Sequence, residues 1–332
     1  MKQTILALVA GLALAGPAMA ASVGSYTSFY TLGDSLSDPG KGVAPDVFPF
    51  VGGRFSNGPV WAETVTEDFA AAGLPNANLA IGGATAGGAD MGAAAGFNRL
   101  FTLSGQVGSL GDAVRGGVTA PGDDPLVSFW FGANDIFNEF RRQLPSGNVD
   151  LAAFGLVAID AADAIAAGAR SVAAIAPAFD SFVFFNLPDL GQVPLFNGTA
   201  LSGFASLVTD TFNARLADNA AALRGEGFEV LEIDVAGLQA RAVADPAAFG
   251  FTNVTASCRA QAELCVNAPN GADSFLFADD VHPTAPAHAQ IASLVSDAIA
   301  TDAAPIPLPA SGVLLLAGLG GLGAMARRRR AA

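Results

Sequence analysis

Short apolar runs alternate along this chain with longer Ala- and Leu-rich segments of helical period, and that alternation limits the fold more than any one motif. The runs Phe29–Leu32, Asn78–Ala80, Leu126–Phe131, Phe182–Phe185 and Glu229–Ile233 read as strands. Between and after them, Pro59–Ala71, Leu103–Val114, Val149–Ala167, Thr199–Arg224 and Ala285–Ala300 read as helices. Strand and helix in repeated alternation is the pattern of a parallel sheet, so the expected fold is α/β with a central parallel sheet covered by helices on both faces. Pro39–Asn57, Ala86–Leu100 and Ala244–Asp273 hold much Gly or Pro with weak periodicity and read as long loops, which in this architecture gather around the site.

The two ends of the 332-residue chain differ in kind from its middle. Residues 1–20 carry Lys2, the apolar run Ile5–Ala15 and the small triplet Ala18-Met19-Ala20, the layout of a secretory signal peptide cut before Ala21. Residues 305–332 carry Pro305–Gly312, the apolar Val313–Ala326 and the basic cluster Arg327–Arg330. That segment is near the lower length limit for a bilayer span, with arginines on its cytoplasmic side. Its Ile306-Pro-Leu-Pro-Ala310 resembles the VPLPA variant of the PEP-CTERM sorting signals. The resemblance implies a signal peptidase and an exosortase-type peptidase as processing partners. It also implies a destination at the Gram-negative cell surface or extracellular matrix, with transient inner-membrane anchoring. A plain membrane anchor is the alternative. Residues 21–304 are then expected to form one large domain.

All 30 acidic residues lie between the two ends, and the formal net charge of the chain is −14. Such a balance opposes binding to nucleic acid or to an anionic membrane surface. Cys258 and Cys265 are the 2 cysteines, close together in a chain expected to be exported, and read as one disulfide pinning a loop. With no histidine nearby they supply at best half a metal-ligand set, so no metal is expected.

The apolar run Phe29–Leu32 stops at Gly33-Asp34-Ser35, a tight turn that leaves Ser35 at the carboxyl edge of the sheet, where open α/β sheets hold their ligands. A serine hydroxyl becomes a nucleophile only when a base takes its proton. The chain has 2 histidines. His282 lies in Asp279-Asp280-Val281-His282-Pro283, where a carboxylate three residues upstream can meet the ring Nδ1–H and leave Nε2 for the serine. His288 has no acidic neighbour and is expected at the surface of the last helix. Acyl transfer also needs donors for the oxyanion. The glycines of Asn78–Thr85 allow close approach of a backbone N–H, and Asn134 in Gly132-Ala133-Asn134-Asp135 offers an amide. Most of the 24 phenylalanines fall in expected core positions. Phe48, Phe50 and Phe55 after the nucleophile, with Phe137 and Phe140 after Asn134, are the candidates for a substrate-binding acyl pocket. Arg54 and Asn57 are candidates to hold the first of those loops.

Gly33-Asp34-Ser35-Leu36, Gly83 in Ile81-Gly82-Gly83-Ala84, Asn134 in its turn, and Asp279 with His282 look like the four blocks of the SGNH/GDSL hydrolases, in order. The segment Gly52–Trp61 is similar to that of the phospholipase/lecithinase/haemolysin-like branch. The resemblance runs from about Phe29 to Val295 and implies a flavodoxin-like three-layer α/β/α sandwich without cofactors. It implies Ser35 as nucleophile, His282 as base, Asp279 as its orienting residue, and Ser35, Gly83 and Asn134 as the oxyanion hole. A secreted or envelope-associated esterase or lipase acting on a lipid, short-chain or polysaccharide-borne ester is the expected function. An exopolysaccharide O-acetylesterase and a catalytically idle surface-binding module are the alternatives. The glycine-rich stretch Gly82–Gly88 lacks the spacing of a dinucleotide loop, and no Gly-x-Ser-x-Gly elbow is present.

Overall fold

The computed structural model describes residues 23–302 apart from 42–43, 46, 88–98 and 148–149. The expected signal segment and sorting tail fall outside the described residues, as does most of the loop 86–100. Strands β1 (Ser28–Gly33), β2 (Asn76–Asn78), β3 (Pro125–Trp130), β4 (Ser181–Phe185) and β5 (Glu229–Ile233) form one parallel sheet in the order β2-β1-β3-β4-β5. Every residue of β1, β3 and β4 is buried, as a strand covered by helices on both faces requires. The flanking β2 and β5 are partly exposed and carry Asn and Glu instead. In this strand order the chain reverses its direction of winding between β1 and β3, which is where such sheets open a crevice.

Helices α1 (Trp61–Ala71), α2 (Leu103–Arg115), α3 (Ala133–Gln143), α4 (Leu151–Ala173), α5 (Ser202–Gly225), α6 (Val235–Ala244), α7 (Ala262–Val266) and α8 (Ala285–Asp302) surround the sheet. α4 packs against α2, α3 and α5, whereas α8 packs against α1 and β5. Among the described residues α4 is the helix long and apolar enough to cross a membrane. Its Phe154, Ala158, Ala161, Ile165, Ala169 and Val172 are buried at three- and four-residue spacing, so packing between neighbouring helices accounts for that composition. Under β1 and β3 the core is largely aromatic: Phe29 stacks on Phe69 at 5.2 Å, Trp130 on Phe185 at 4.8 Å, and Trp61 lies 4.5 Å from Phe185.

Several elements lie where the sequence predicts otherwise. β2 sits two residues before the expected run, because Asn78 uses its side chain to fix the next turn, accepting from Ala80 N–H and donating to Ser37 O. α3 and α6 occupy segments with no expected helix. α3 is strongly polar, which hid the helical spacing of its buried Ala133, Ile136, Phe137 and Phe140. Within the expected loop Ala244–Asp273 lie β6 (Asn253–Ser257), which pairs in parallel with β7 (Phe275–Phe277), and α7, bracketed by the Cys258–Cys265 disulfide. His288 is buried, not at the surface: it shares the inner stripe of α8 with Ala287, Ile291, Ala292 and Val295. Burial, then the nearby His282, lowers its pKa to about 3, so the ring is neutral.

The end of β1 is tied to α2 by one side chain. The fully buried Gln106 accepts from Gly33 N–H at 2.8 Å and donates to Gly33 O at 2.8 Å and to Leu100 O at 2.7 Å. Gln106→Leu strands the Gly33 N–H in the interior and is expected to cost about 1–3 kcal/mol, read as a lower urea midpoint at unchanged slope.

Candidate active site

β1 ends at Gly33, and the next residues turn back sharply: Ser37 N–H donates to Asp34 O at 3.1 Å and Leu36 N–H to Asp34 Oδ1 at 3.0 Å. The turn is anchored again by Trp61, whose indole N–H donates to Ser37 Oγ at 3.1 Å. Asp38 accepts from Gly40 and Lys41 N–H through Oδ1 and from Gly82 N–H at 2.8 Å through Oδ2. That last bond locks the glycine turn after β2 against the serine turn. Lys41 is drawn in as well, donating to Asn78 Oδ1 and to Ala80 O, and burial lowers its pKa to about 8 despite the neighbouring Asp38.

The histidine arrives from the opposite end of the chain. β7 leads into a tight return in which Ala278 N–H donates to His282 O at 2.8 Å and Thr284 N–H to Leu276 O at 3.0 Å. Asp279 sits inside the return and accepts from the backbone N–H groups of Val281 at 2.9 Å and His282 at 2.7 Å. Both its oxygens lie 2.9 Å from His282 Nδ1, and His282 Nε2 lies 2.8 Å from Ser35 Oγ. Burial works to raise the Asp279 pKa, but the charge and hydrogen bonds of His282 and the two N–H groups outweigh it, holding the carboxyl below its usual range. Asp280 is exposed and turned away, its carbonyl accepting from Leu195 N–H.

Above the serine, Gly83 has φ +87°, a conformation that glycine adopts without strain. Neither its N–H nor that of Ser35 has a hydrogen-bond partner among the described residues. Asn134 stands at the start of α3, and its amide donates to Ala84 O at 3.0 Å and Asp34 Oδ2 at 3.2 Å. Both amide protons are therefore engaged. Asp135 beside it accepts from Ala86 and Gly87 N–H, which fixes the glycine loop over α3.

The pocket in front of Ser35 has a volume of about 60 Å³. Its wall includes Leu36, Ala133, Phe137, Pro188 and Val281, with Arg141 at the rim. Of the expected substrate-binding phenylalanines, Phe137 is in place. Phe48 is 47% exposed and outside the wall, and Phe50 and Phe55 do a different job. Phe55 stacks on the His282 ring at 4.8 Å and Phe50 meets it edge-on at 6.2 Å, with Arg259 5.8 Å above Phe50. A Cβ at Gly82 would run into the Phe55 ring, so this glycine is what lets the clamp close. Phe140 is buried among Phe154, Phe196 and Phe204 instead. Arg54 forms a two-bond pair with Glu63, and Asn57 bonds Ala285 N–H and Asp273, so both hold structure. Arg141 is the charged pocket residue missed from sequence, and its place one turn beyond Phe137 was the available signal; Pro188, Leu190 and Val281 join the wall from distant segments with no such signal.

The sequence profile of the GDSL-like lipase/acylhydrolases matches residues 29–295. The chain belongs to the GDSL-like lipase/acylhydrolase family. It is 31% identical over 248 residues to the phosphatidylcholine-sterol acyltransferase of Aeromonas hydrophila, covering 70% of this chain and 66% of that one. It is 27% identical over 286 residues to the thermolabile hemolysin of Vibrio parahaemolyticus, covering 79% and 61%. The match thus spans less than two thirds of either relative. A solved structure of Axe2, an acetylxylan esterase from Geobacillus stearothermophilus, is similar over 84% of this chain and 96% of that chain, at 15% identity and a TM-score of 0.45.

In this GDSL-family chain the aspartate of the motif has an electrostatic cost. Burial pushes the Asp34 carboxyl up to about 7, against the Leu36 N–H and the charge of His282, which pull it down. The native state therefore holds this proton more tightly than the unfolded chain. The resulting contribution to stability is complete below the ordinary carboxyl pKa of about 4 and is lost as pH rises through about 7. Asp34→Asn removes it, so the melting temperature of the wild type is expected to drop more than the variant's between pH 5 and pH 8. Scanning calorimetry of both proteins in matched buffers checks this.

Proposed function

We propose that the protein is an exported serine esterase that cleaves carboxylic esters through an acyl-enzyme, with Ser35 as nucleophile, His282 as general base and Asp279 as its orienting carboxylate. The observation that carries the reading is the unbroken chain from Asp279 through His282 to Ser35 Oγ at 2.9 and 2.8 Å, beside two unpartnered N–H groups. Ser35 Oγ attacks the ester carbonyl as its proton passes to His282 Nε2. The oxyanion of the tetrahedral intermediate is met by the N–H groups of Ser35 and Gly83 and by an Asn134 proton released from Asp34. His282 then gives its proton to the departing alcohol, and Asp279 stabilises the imidazolium in between. Water, deprotonated by the same Nε2, repeats the attack and frees the acid.

The apolar wall of the pocket favours a fatty acyl ester over a sugar-borne acetyl group. Lipid acyl transfer in the named function of the Aeromonas relative supports the same choice. Export is supported by the layout of residues 1–20 and 305–332, and by the Cys258–Cys265 bond, which suits an oxidising compartment. The catalytic unit is then 21–304, with signal peptidase and an exosortase-type peptidase acting on the two ends.

A chain-length series of p-nitrophenyl esters tests the reading. Ser35→Ala is expected to reduce kcat by about 10⁴-fold or more on every ester, and hydrolysis surviving in that variant overturns the assignment. Asp279→Asn is expected to cost about 10³- to 10⁴-fold in kcat and Asp280→Asn little; equal effects would mean that the wrong aspartate has been assigned.

A further inference from the structure

The bond between Cys258 and Cys265 lies outside the core of the sheet. Both half-cystines are fully buried, and with Phe275 they form a small cluster of their own, flanked by Ala256, Ala268 and Ala272. The large core around the sheet takes in Leu276 and Phe277 but neither cysteine. Phe275 is therefore the point at which β7 rests on the disulfide, and β7 leads directly into the return that carries Asp279 and His282.

The disulfide segment is joined to that return in two further ways. Cys258 N–H donates to Phe277 O at 3.1 Å and Arg259 N–H to Ala278 O at 2.9 Å, which extends the β6–β7 pairing to the residue before Asp279. The Arg259 guanidinium then stands 5.8 Å over Phe50, whose ring meets His282 edge-on. On its far side the return closes when Thr284 Oγ1 donates to Phe275 O at 2.6 Å. Phe275, packed on the disulfide, thus sits at both the entry and the exit of the return. By contrast α8 is anchored elsewhere: Asn57 Oδ1 accepts from Ala285 N–H at 2.8 Å, and Ile291, Ala292 and Val295 belong to the core of the sheet. Opening the disulfide frees the segment that it closes, loosening the small cluster while the sheet and α8 keep their own contacts. The contacts of His282 are short, 2.9 Å from Nδ1 to Asp279 and 2.8 Å from Nε2 to Ser35 Oγ, and a displacement of about 1 Å costs such an arrangement about 100-fold in rate.

We propose that Cys258 and Cys265 are positioning residues for the Asp279–His282 pair, and that the protein turns over esters efficiently only when the two are joined. The inference rests on the reading of His282 as general base and adds its regulation. In forming the bond each thiol gives up one proton and one electron; a disulfide oxidant takes both electrons and both protons and leaves as a dithiol. A dithiol reductant reverses the exchange. On the export reading, a copy folded in a thiol-reducing cytoplasm has its sheet and its Ser35 turn but a misplaced imidazole, and the oxidising compartment outside completes it.

The test uses the purified full-length protein, as isolated and after treatment with dithiothreitol that is then removed under nitrogen, with thiols counted after denaturation. The form with both cysteines free is expected to hydrolyse p-nitrophenyl butyrate with kcat lowered about 100-fold. KM is expected to change less than about threefold, because Leu36, Ala133, Phe137 and Pro188 of the pocket wall come from other segments. Phosphonylation of Ser35 by a fluorophosphonate is expected to slow to the same degree, and tryptophan emission to stay put, since Trp61 and Trp130 lie in the core of the sheet. Oxidised glutathione is expected to restore kcat. Cys258→Ala/Cys265→Ala carries the same expectation without a reductant and decides the matter if the buried bond resists dithiothreitol. Wild-type kcat in the two-thiol form or in the double variant overturns the proposal. So does a shift in emission that accompanies the loss, which would make the bond a requirement of the whole fold, or a loss confined to KM, which would place the segment in substrate binding. Ester hydrolysis that persists in Ser35→Ala is a separate failure, that of the esterase reading, and is read without reference to the cysteines.

Discussion

Gly33 exchanges hydrogen bonds with the buried Gln106 side chain in both directions, and the geometry of the site follows from the strand end that this contact fixes. A parallel strand that simply ran on would carry Ser35 out into solvent. Here the ladder stops at Gly33, opposite Trp130, and side chains take over: Gln106 below, Asp34 within the turn, Trp61 behind it and Asp38 across to Gly82. Each bond is buried or nearly so, where losing a partner is far more costly than at the surface. Ser35 is thus held by a polar network embedded in an aromatic core.

The same network explains how three separate chain segments come together beside Ser35. Asp38 sets the height of the Gly82-Gly83 turn relative to Ser35, and Asp34 sets the orientation of Asn134. Asp34 therefore links the Ser35 turn to Asn134, a hundred residues later in sequence. Its raised pKa reflects that role: a carboxylate is put in a water-poor place because its two oxygens serve two different elements. Stability at alkaline pH is given up for a fixed tie between the Ser35 turn and Asn134.

The parts of this arrangement that rest on local turn chemistry were legible in the sequence. Gly-Asp-Ser after an apolar run, a Gly-Gly pair after a second, and Asp three residues before His each carry their own geometry, and the structure brings those residues to one edge of the sheet. The sheet was legible too, because fully buried strands have unbroken apolar runs. What failed was either short or non-local. β6 and α7 contain too few residues to display a period, whereas α6 had one, Val235, Leu238, Gln239 and Ala242, broken by a polar member. Phe50 and Phe55 looked like pocket wall from their nearness in sequence to Ser35, but the ring they cover belongs to a histidine more than two hundred residues away. His288 was misread although its signal was present: it lies three residues before Ile291 and seven before Val295, on the apolar stripe of α8.

Ser35 and His282 are separated by 247 positions, with four of the five strands of the sheet between them. On the proposed mechanism, a ribosome that has made all five strands has made an inert alcohol, because the imidazole that activates it sits just ahead of α8. On that mechanism hydrolytic power arises only near the end of synthesis, and a chain that stops before His282 is silent.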